Sequence, residues 1–253
     1  MPTATQPPFP EDVPTHPLLV IDYALIKAGD ESEIDRLWQA ATELGFWYLK
    51  NHGVHYEVNE MFDMGVETMA LPLEEKYMFE QGNDGMSFGY KARGANATDE
   101  YGSIDTSEFI NIAKDDALAW PKIARRTYPA PTNARMESTI APFVRKSLAV
   151  NATLMDVFNN RLGLPEGELA KRHTMEEFSG SEARCIKNPP KMSEEQTAIG
   201  AHTDFGSLVC GVRDCLYNAE CRWDWQSFLH NRLGGLQVLV PGTEKWQYVK
   251  VRS

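Results

Sequence analysis

Apolar positions along the chain change period several times, and each change marks an element. Leu18, Leu19, Val20 and Ile21 form a short unbroken apolar run suited to a buried strand ending at Asp22. Ile34, Leu37, Trp38, Ala41 and Leu44 then repeat at helical spacing, behind Asp30 and Ser32, whose side-chain oxygens can accept the first free backbone N–H groups of a helix. Gly45 closes that helix, because glycine takes the left-handed cap conformation without a Cβ clash. Phe46-Trp47-Tyr48-Leu49 opens a second strand dense in aromatic residues. Val58, Met61, Phe62 and Met69 mark another helix, which Pro72 ends. Ile140, Phe143, Val144, Leu148, Leu154, Val157, Phe158 and Leu162 trace a long helix stopped by Gly163 and Pro165. The Met and Trp residues of these segments read as core packing.

Between the helices, Gly82 to Trp120 turns rich in Gly, Asp, Ser and Asn, with Tyr90, Lys91, Arg93, Tyr101 and Glu108 scattered through it. This reads as a long loop with short strands. Loops beyond about 12–15 residues without structure of their own are usually functional or disordered.

Composition narrows the class. At 253 residues, 42% hydrophobic and 10% aromatic, the chain can build one large or two smaller cores. The net charge of -11, from 25 basic against 36 acidic residues, argues against a nucleic-acid or anionic-membrane surface and leaves a small molecule as the expected partner. Residues 1–16, rich in Pro and Thr, read as an extended leader and not as a signal peptide; no run approaches a membrane span, and the expected location is cytoplasmic. Asn96-Ala97-Thr98 and Asn151-Ala152-Thr153 match the glycosylation sequon, which has no consequence without secretion. Four cysteines, at 185, 210, 215 and 221, are too few and too clustered for a disulfide framework, and their spacing suits a zinc cluster poorly.

The strongest chemical signal is His202-Thr203-Asp204. In an extended strand alternate side chains share a face, so His202 and Asp204 project together while Thr203 points away, and an imidazole with a carboxylate can chelate one divalent ion. Such a pair suits Fe(II), which a 2-His-1-carboxylate face holds with positions left open. The bare tripeptide is weak evidence, and its context decides. Phe205-Gly206-Ser207-Leu208 follows it, then Gly234-Gly235-Leu236-Gln237-Val238 and Trp246-Gln247-Tyr248-Val249. Upstream stand Pro17-Leu18-Leu19-Val20-Ile21-Asp22, Gly45-Phe46-Trp47-Tyr48-Leu49-Lys50-Asn51-His52-Gly53-Val54, Leu71-Pro72-Leu73-Glu74-Glu75-Lys76, Gly89-Tyr90 and Glu108-Phe109-Ile110.

In this order the motifs resemble the Fe(II)/2-oxoglutarate-dependent dioxygenase superfamily, in its isopenicillin N synthase-like branch. The resemblance implies an α+β fold with a double-stranded β-helix (jelly-roll) core, incomplete here, joined to an N-terminal α/β dioxygenase domain and a long bracing helix. It divides the chain into a leader (1–16), a dioxygenase N-terminal domain (17–125), a helical segment (126–177) and a partial core (178–253) with an atypical insert at 210–228. It implies Fe(2+) held by His202 and Asp204, 2-oxoglutarate as co-substrate, O2, a small organic substrate to be hydroxylated, desaturated or cyclised, and ascorbate as a supporting reductant. Substrate and oligomeric state are left open.

The chain also departs from the pattern. Arg184-Cys185-Ile186-Lys187-Asn188-Pro189-Pro190 stands where relatives carry an Arg, two tyrosines and a Pro pair, so Arg184 and Lys187 are the candidate co-substrate contacts. The insert from Cys210 to Phe228 holds three cysteines and two tryptophans, a composition unlike a surface hairpin and suggestive of a translated intron. The relatives' distal His and Arg-x-Ser have no counterpart before Ser253, which predicts weak iron binding and little turnover for this chain. His230 is an improvised third ligand at best, His173 suits capping or solvent, and His16, His52 and His55 suit packing and turns. Two further readings stay open: an inactive fragment or small-molecule-binding module, and an oxidase of the same branch that does not consume 2-oxoglutarate.

Overall fold

A computed structural model describes residues 11–82, 85–188, 201, 207–208 and 237–249, with the backbone of two further strands at 210–212 and 219–223. In chain order the elements begin with β1 (Thr15–His16), β2 (Leu19–Asp22), α1 (Tyr23–Lys27), α2 (Glu31–Glu43), β3 (Trp47–Lys50), α3 (His55–Met69) and α4 (Leu73–Tyr77). Next come β4 (Gly89–Lys91), β5 (Glu108–Ala113), α5 (Lys114–Ala119), α6 (Ala130–Ala134) and α7 (Ala141–Arg161). Five strands follow: β6 (Glu182–Lys187), β7 (Cys210–Val212), β8 (Ala219–Trp223), β9 (Gln237–Leu239) and β10 (Trp246–Val249).

Local chemistry explains the first layer. Asp30 caps α2, accepting from the Glu33 amide at 2.9 Å. Glu33 does not reach back to its own cap; it accepts from the Asp22 amide at 2.6 Å and from Arg36 Nη1 at 2.6 Å, while Arg36 Nη2 donates to Val20 O at 3.0 Å. A buried carboxylate thus fastens α2 to β2, which runs parallel to β3 in a two-stranded sheet. Gly45 closes α2 at φ +81°, the left-handed conformation expected of it. The long helix α7 is preceded by one π-helical turn, Met136–Ile140, and buries Phe143, Val144 and Leu154 against Leu37, Met61, Met64 and Ile110 in one core cluster.

A five-stranded sheet, in the order β4-β5-β6-β8-β7, lies against α3. Every neighbouring pair in it is antiparallel. β4 and β5 are short strands within the stretch expected to be a long loop with short strands, and they join β6 across the boundary expected at residue 125. The backbone of the 210–228 insert supplies β7 and β8. A smaller sheet sets β1 parallel to β10, which pairs with β9, over a second cluster of Leu18, Val238 and Val249. No described helix is long and apolar enough to cross a membrane.

His52 lies beside β3 with its ring 4.4 Å from that of His55, and its Nδ1 accepts from the Val54 amide at 3.3 Å. Burial, and then the charge of His55, bring its pKa down from 6.5 to about 4. A histidine whose folded pKa is depressed stabilises the fold fully above 6.5, and that contribution is lost as the pH falls toward 4. Substituting His52 with Gln is expected to flatten the loss of thermal stability between pH 6.5 and pH 4. Melting temperatures of both proteins across that window check it; parallel curves would exclude His52 as the acid-sensitive group.

Candidate functional site

Strand register sorts the side chains of the main sheet onto two faces. Phe109 faces Ile186, Ile110 faces Cys185, and Asn111 faces Arg184, so Glu182, Arg184 and Ile186 share one side with Phe109 and Asn111. The other side carries Ala183, Cys185, Lys187, Glu108 and Ile110. Cys185 donates its thiol to Met61 O of α3 at 3.6 Å, and a Cβ on Gly65 would lie 3.1 Å from Cys185 Cβ, so this second face is the one packed on α3.

On the α3 side Glu108 gathers three donors. Lys76 Nζ lies 2.7 Å from it, Tyr90 Oη 2.6 Å and Lys187 Nζ 2.9 Å. Burial is the largest single influence on Glu108 and pushes its pKa up, but the hydrogen bonds from Lys76, Tyr90 and Lys187 together outweigh it and hold the carboxyl below its ordinary 4.5. Burial, and then the hydrogen bond to the Glu108 carboxylate and its charge, push the Tyr90 phenol upward. This cluster ties α4, β4, β5 and β6 together.

On the opposite face the polar groups form a linked set. Arg184 Nε donates to Asn111 Oδ1 at 2.7 Å, and Arg184 Nη2 pairs with Glu182. Ser87 closes the set: its hydroxyl donates to Glu182 Oε2 at 2.6 Å, and its carbonyl accepts from Asn111 Nδ2 at 2.7 Å. Arg184 Cζ sits 4.5 Å from the centre of the Phe109 ring, and Lys91 Nζ sits 5.2 Å from it. Lys91 is answered by Asp105 and by Ser107 O, and Ser107 in turn donates to Asn188 Oδ1 at 2.5 Å.

The sequence-based candidates fare differently. Arg184 lies on the face turned away from α3. Lys187 lies on the other face, in ion pairing with Glu108, so the two cannot grip one carboxylate together. His202, Asp204 and His230, with the extended geometry expected of the His-x-Asp run, lie outside the described residues. So do the side chains of Cys210, Cys215 and Cys221. His173 Nε2 meets Ser207 Oγ at 3.0 Å, which sets it beside the chain just past the His-x-Asp motif. Among the described residues no group of three or more His, Cys, Asp or Glu could hold a metal ion. Sequence reading missed Glu182, Asn111 and Ser87. Glu182 could have been found, because it stands two residues from Arg184 on the same strand face; Ser87 and Asn111 depend on register between distant segments.

Residues 18–132 match the family described as the non-haem dioxygenase N-terminal domain of morphine synthesis. Leucoanthocyanidin dioxygenase of Vitis vinifera is 28% identical over 230 residues, covering 85% of this chain and 54% of that protein. The 2-oxoglutarate-dependent dioxygenase thnC of Trichoderma harzianum is 22% identical over 220 residues, covering 79% of this chain and 63% of that protein. The chain therefore spans about half the length of the leucoanthocyanidin dioxygenases it matches, 54% and 48% for those of grape and petunia. Among solved structures, the Arabidopsis thaliana dioxygenase for auxin oxidation, in its binary complex with 2-oxoglutarate, superposes with a TM-score of 0.55 at 18% identity, covering 83% of this chain and 80% of that one. A 2OG-Fe(II) oxygenase family protein from Caulobacter crescentus gives 0.62 at 16% identity, covering 84% and 74%. Over most of its length the chain is thus similar to 2-oxoglutarate-dependent dioxygenases, and its fold is that of the 2OG-Fe(II) oxygenase structures, with a mixed α/β arrangement consistent with an incomplete jelly-roll core.

Proposed function

We propose that this chain is the N-terminal domain and part of the core of an oxygenase that uses Fe(II), 2-oxoglutarate and O2 to oxidise a small organic molecule. The observation that carries the reading is the coincidence, in one chain, of the dioxygenase N-terminal match over 18–132 with His202-Thr203-Asp204 downstream of it. His202 and Asp204 offer one imidazole nitrogen and one carboxylate oxygen, a donor set that fits a ferrous ion, and they are the residues that would hold it. When bound, the iron supplies O2 activation coupled to oxidative decarboxylation of 2-oxoglutarate; the protein's part is to bind, orient and exclude water. Arg184 is the described residue best placed to meet an acidic group, being polar-anchored and partly exposed, whereas Lys187 is committed to Glu108. The relatives named above act on chemically different molecules by their names, so the substrate is not carried over from any of them.

The reading is tested by adding Fe(II) and 2-oxoglutarate to the anaerobic chain and recording the visible charge-transfer absorption that an iron-bound 2-oxo acid gives. Appearance of the band is the expected result, with little succinate released on admitting O2 in the presence of ascorbate. Iron that binds without a band when 2-oxoglutarate is added would favour the same-branch oxidase reading, and a chain that takes up no iron would overturn the proposal.

A further inference from the structure

The two apolar clusters of the fold do not close completely on each other. Between them lies a cavity of about 220 Å³. Leu19 and Ala40 line it from the side of the main core, and Leu44 and Phe46 from the side of the smaller cluster beneath the β1-β10-β9 sheet. Pro241, between β9 and β10, supplies a further wall. Leu19, Leu44 and Phe46 are only half-buried, which leaves apolar surface that a body of the right shape could cover. An apolar cavity of about 150 Å³ is enough to admit benzene, so this one has room for a ring with a short substituent. None of these walls belongs to the His-x-Asp run or to the Arg184 and Glu108 sets.

Charge decides which bodies suit it. α2 ends at the cavity: Glu43, in its last turn, lines the space, and that turn holds no basic residue. A helix presents partial negative charge at this end through its terminal carbonyls, so a carboxylate there adds to a field that favours a cation. Glu43 makes no ion pair among the described residues; both of its oxygens accept from Gln39 Nε2, at 3.1 Å. The second polar wall is also an acceptor. His16, which lines the cavity, meets Gln247 Oε1 through Nδ1 at 3.0 Å; with that oxygen accepting, Nδ1 carries the proton and Nε2 of the neutral ring is left as an acceptor. The chain's net charge of -11 draws cations toward it as a whole. We propose that this seam is a binding site for a small organic cation, an ammonium carried on an aromatic or branched aliphatic body. The body lies between Ala40, Leu44 and Phe46, and the ammonium meets Glu43. Seated there, the ligand bridges β1, the end of α2 and the β9–β10 turn, and so fastens the small sheet to the main core. The site is separate from the oxygenase reading above and does not depend on it.

Phenethylammonium is titrated near neutral pH into the full 15N-labelled chain, without iron or 2-oxoglutarate. Phenethyl alcohol, its neutral isostere, and phenylacetate, its anionic counterpart, are titrated alongside. The ammonium is expected to bind with a dissociation constant of about 1 mM or tighter and to shift the amides of Leu19, Leu44 and Phe46. The alcohol should bind the same residues about fivefold more weakly, and phenylacetate should leave them unmoved. Glu43→Gln, on the exposed end of α2, should weaken the ammonium about threefold and leave the alcohol unchanged. Ala40→Leu fills part of the cavity and should abolish binding of both; its melting curve reports whether it folds, and if it does not, Glu43→Gln decides. An alcohol that binds as tightly as the ammonium, a Glu43→Gln chain that binds the ammonium as the parent does, or a titration that leaves Leu44 and Phe46 unmoved would each overturn the proposal.

Discussion

Glu108→Leu is expected to destabilise the chain by about 3–5 kcal/mol, because removing one member of a buried ion pair leaves the other charge uncompensated. The stranded charge is Lys76, whose side chain is only 7% exposed and which would keep the Met69 carbonyl at 3.2 Å and the face of the Tyr90 ring at 5.2 Å. Tyr90 would lose its acceptor in the same step. Lys187, half-exposed, can turn to water and should suffer little. The effect depends on pH with a definite sign. The Glu108 carboxyl titrates below its ordinary 4.5 in the folded chain, so its stabilisation is fully present above 4.5 and is lost as the pH falls through the folded value. Urea denaturation of the parent and of Glu108→Leu should therefore differ most at neutral pH and converge under acid. Adding Lys76→Met should recover much of the loss, since a well-packed apolar pair can match a buried ion pair. A Glu108→Leu chain within about 1 kcal/mol of the parent at neutral pH would mean that the cluster behaves like a surface salt bridge.

That cluster also shows what could and could not be read from the sequence. The elements carried by strong periodicity and by caps were legible: α2 behind Asp30, β2 and β3 around it, and the long α7 run within a residue or two of their expected limits, and α3 within three. Their signals are local, a repeat of apolar residues with a polar start and a glycine stop. β4 and β5 are short strands of the kind read within the 82–120 stretch, but their limits were not legible there. β4 is three residues long, and the surrounding Gly, Asp and Ser residues belong to the turns on either side, so composition averaged over the stretch obscured it. The polar residues there are not solvated loop residues either: Lys91, Asp105, Ser107 and Asn111 are buried and hydrogen-bonded to one another or to neighbouring strands.

The candidate site divides along the same line. Parity along a strand is legible without any structure, and it places Arg184 and Lys187, three residues apart, on opposite faces. Each would therefore have to meet an acidic group on its own face of the sheet. Which face meets α3 was not legible, because it depends on Cys185 lying against Met61 and Gly65, a contact between segments more than a hundred residues apart. Glu182 and Asn111 were missed for the same reason. A glutamate and an asparagine on strands are read as solvent-facing residues until register sets them beside an arginine.

Asp204→Ala is expected to abolish iron binding by the chain, with affinity falling by more than roughly 100-fold, since even substitutions one layer outside a metal's ligands can cost about 10–100-fold. The expectation follows from the donor count. His202 and Asp204 are the chelating pair the sequence offers, and a lone imidazole left by the substitution binds a ferrous ion no better than a surface histidine. His202→Ala should do the same from the other side. Strand alternation supplies the internal control: an extended run would turn Thr203 away from the pair, so Thr203→Ala is expected to retain the parent's iron. His230→Ala separates the family pattern from an improvised third ligand, and is expected to leave iron content unchanged. Each variant is loaded anaerobically, dialysed and assayed for bound iron, and then for the charge-transfer absorption on adding 2-oxoglutarate. Equal iron in the parent, Asp204→Ala and His202→Ala would show that the metal sits elsewhere. Loss in Thr203→Ala equal to that in Asp204→Ala would mean that the 202–204 run is not extended, and that the shared face on which the oxygenase reading depends does not exist.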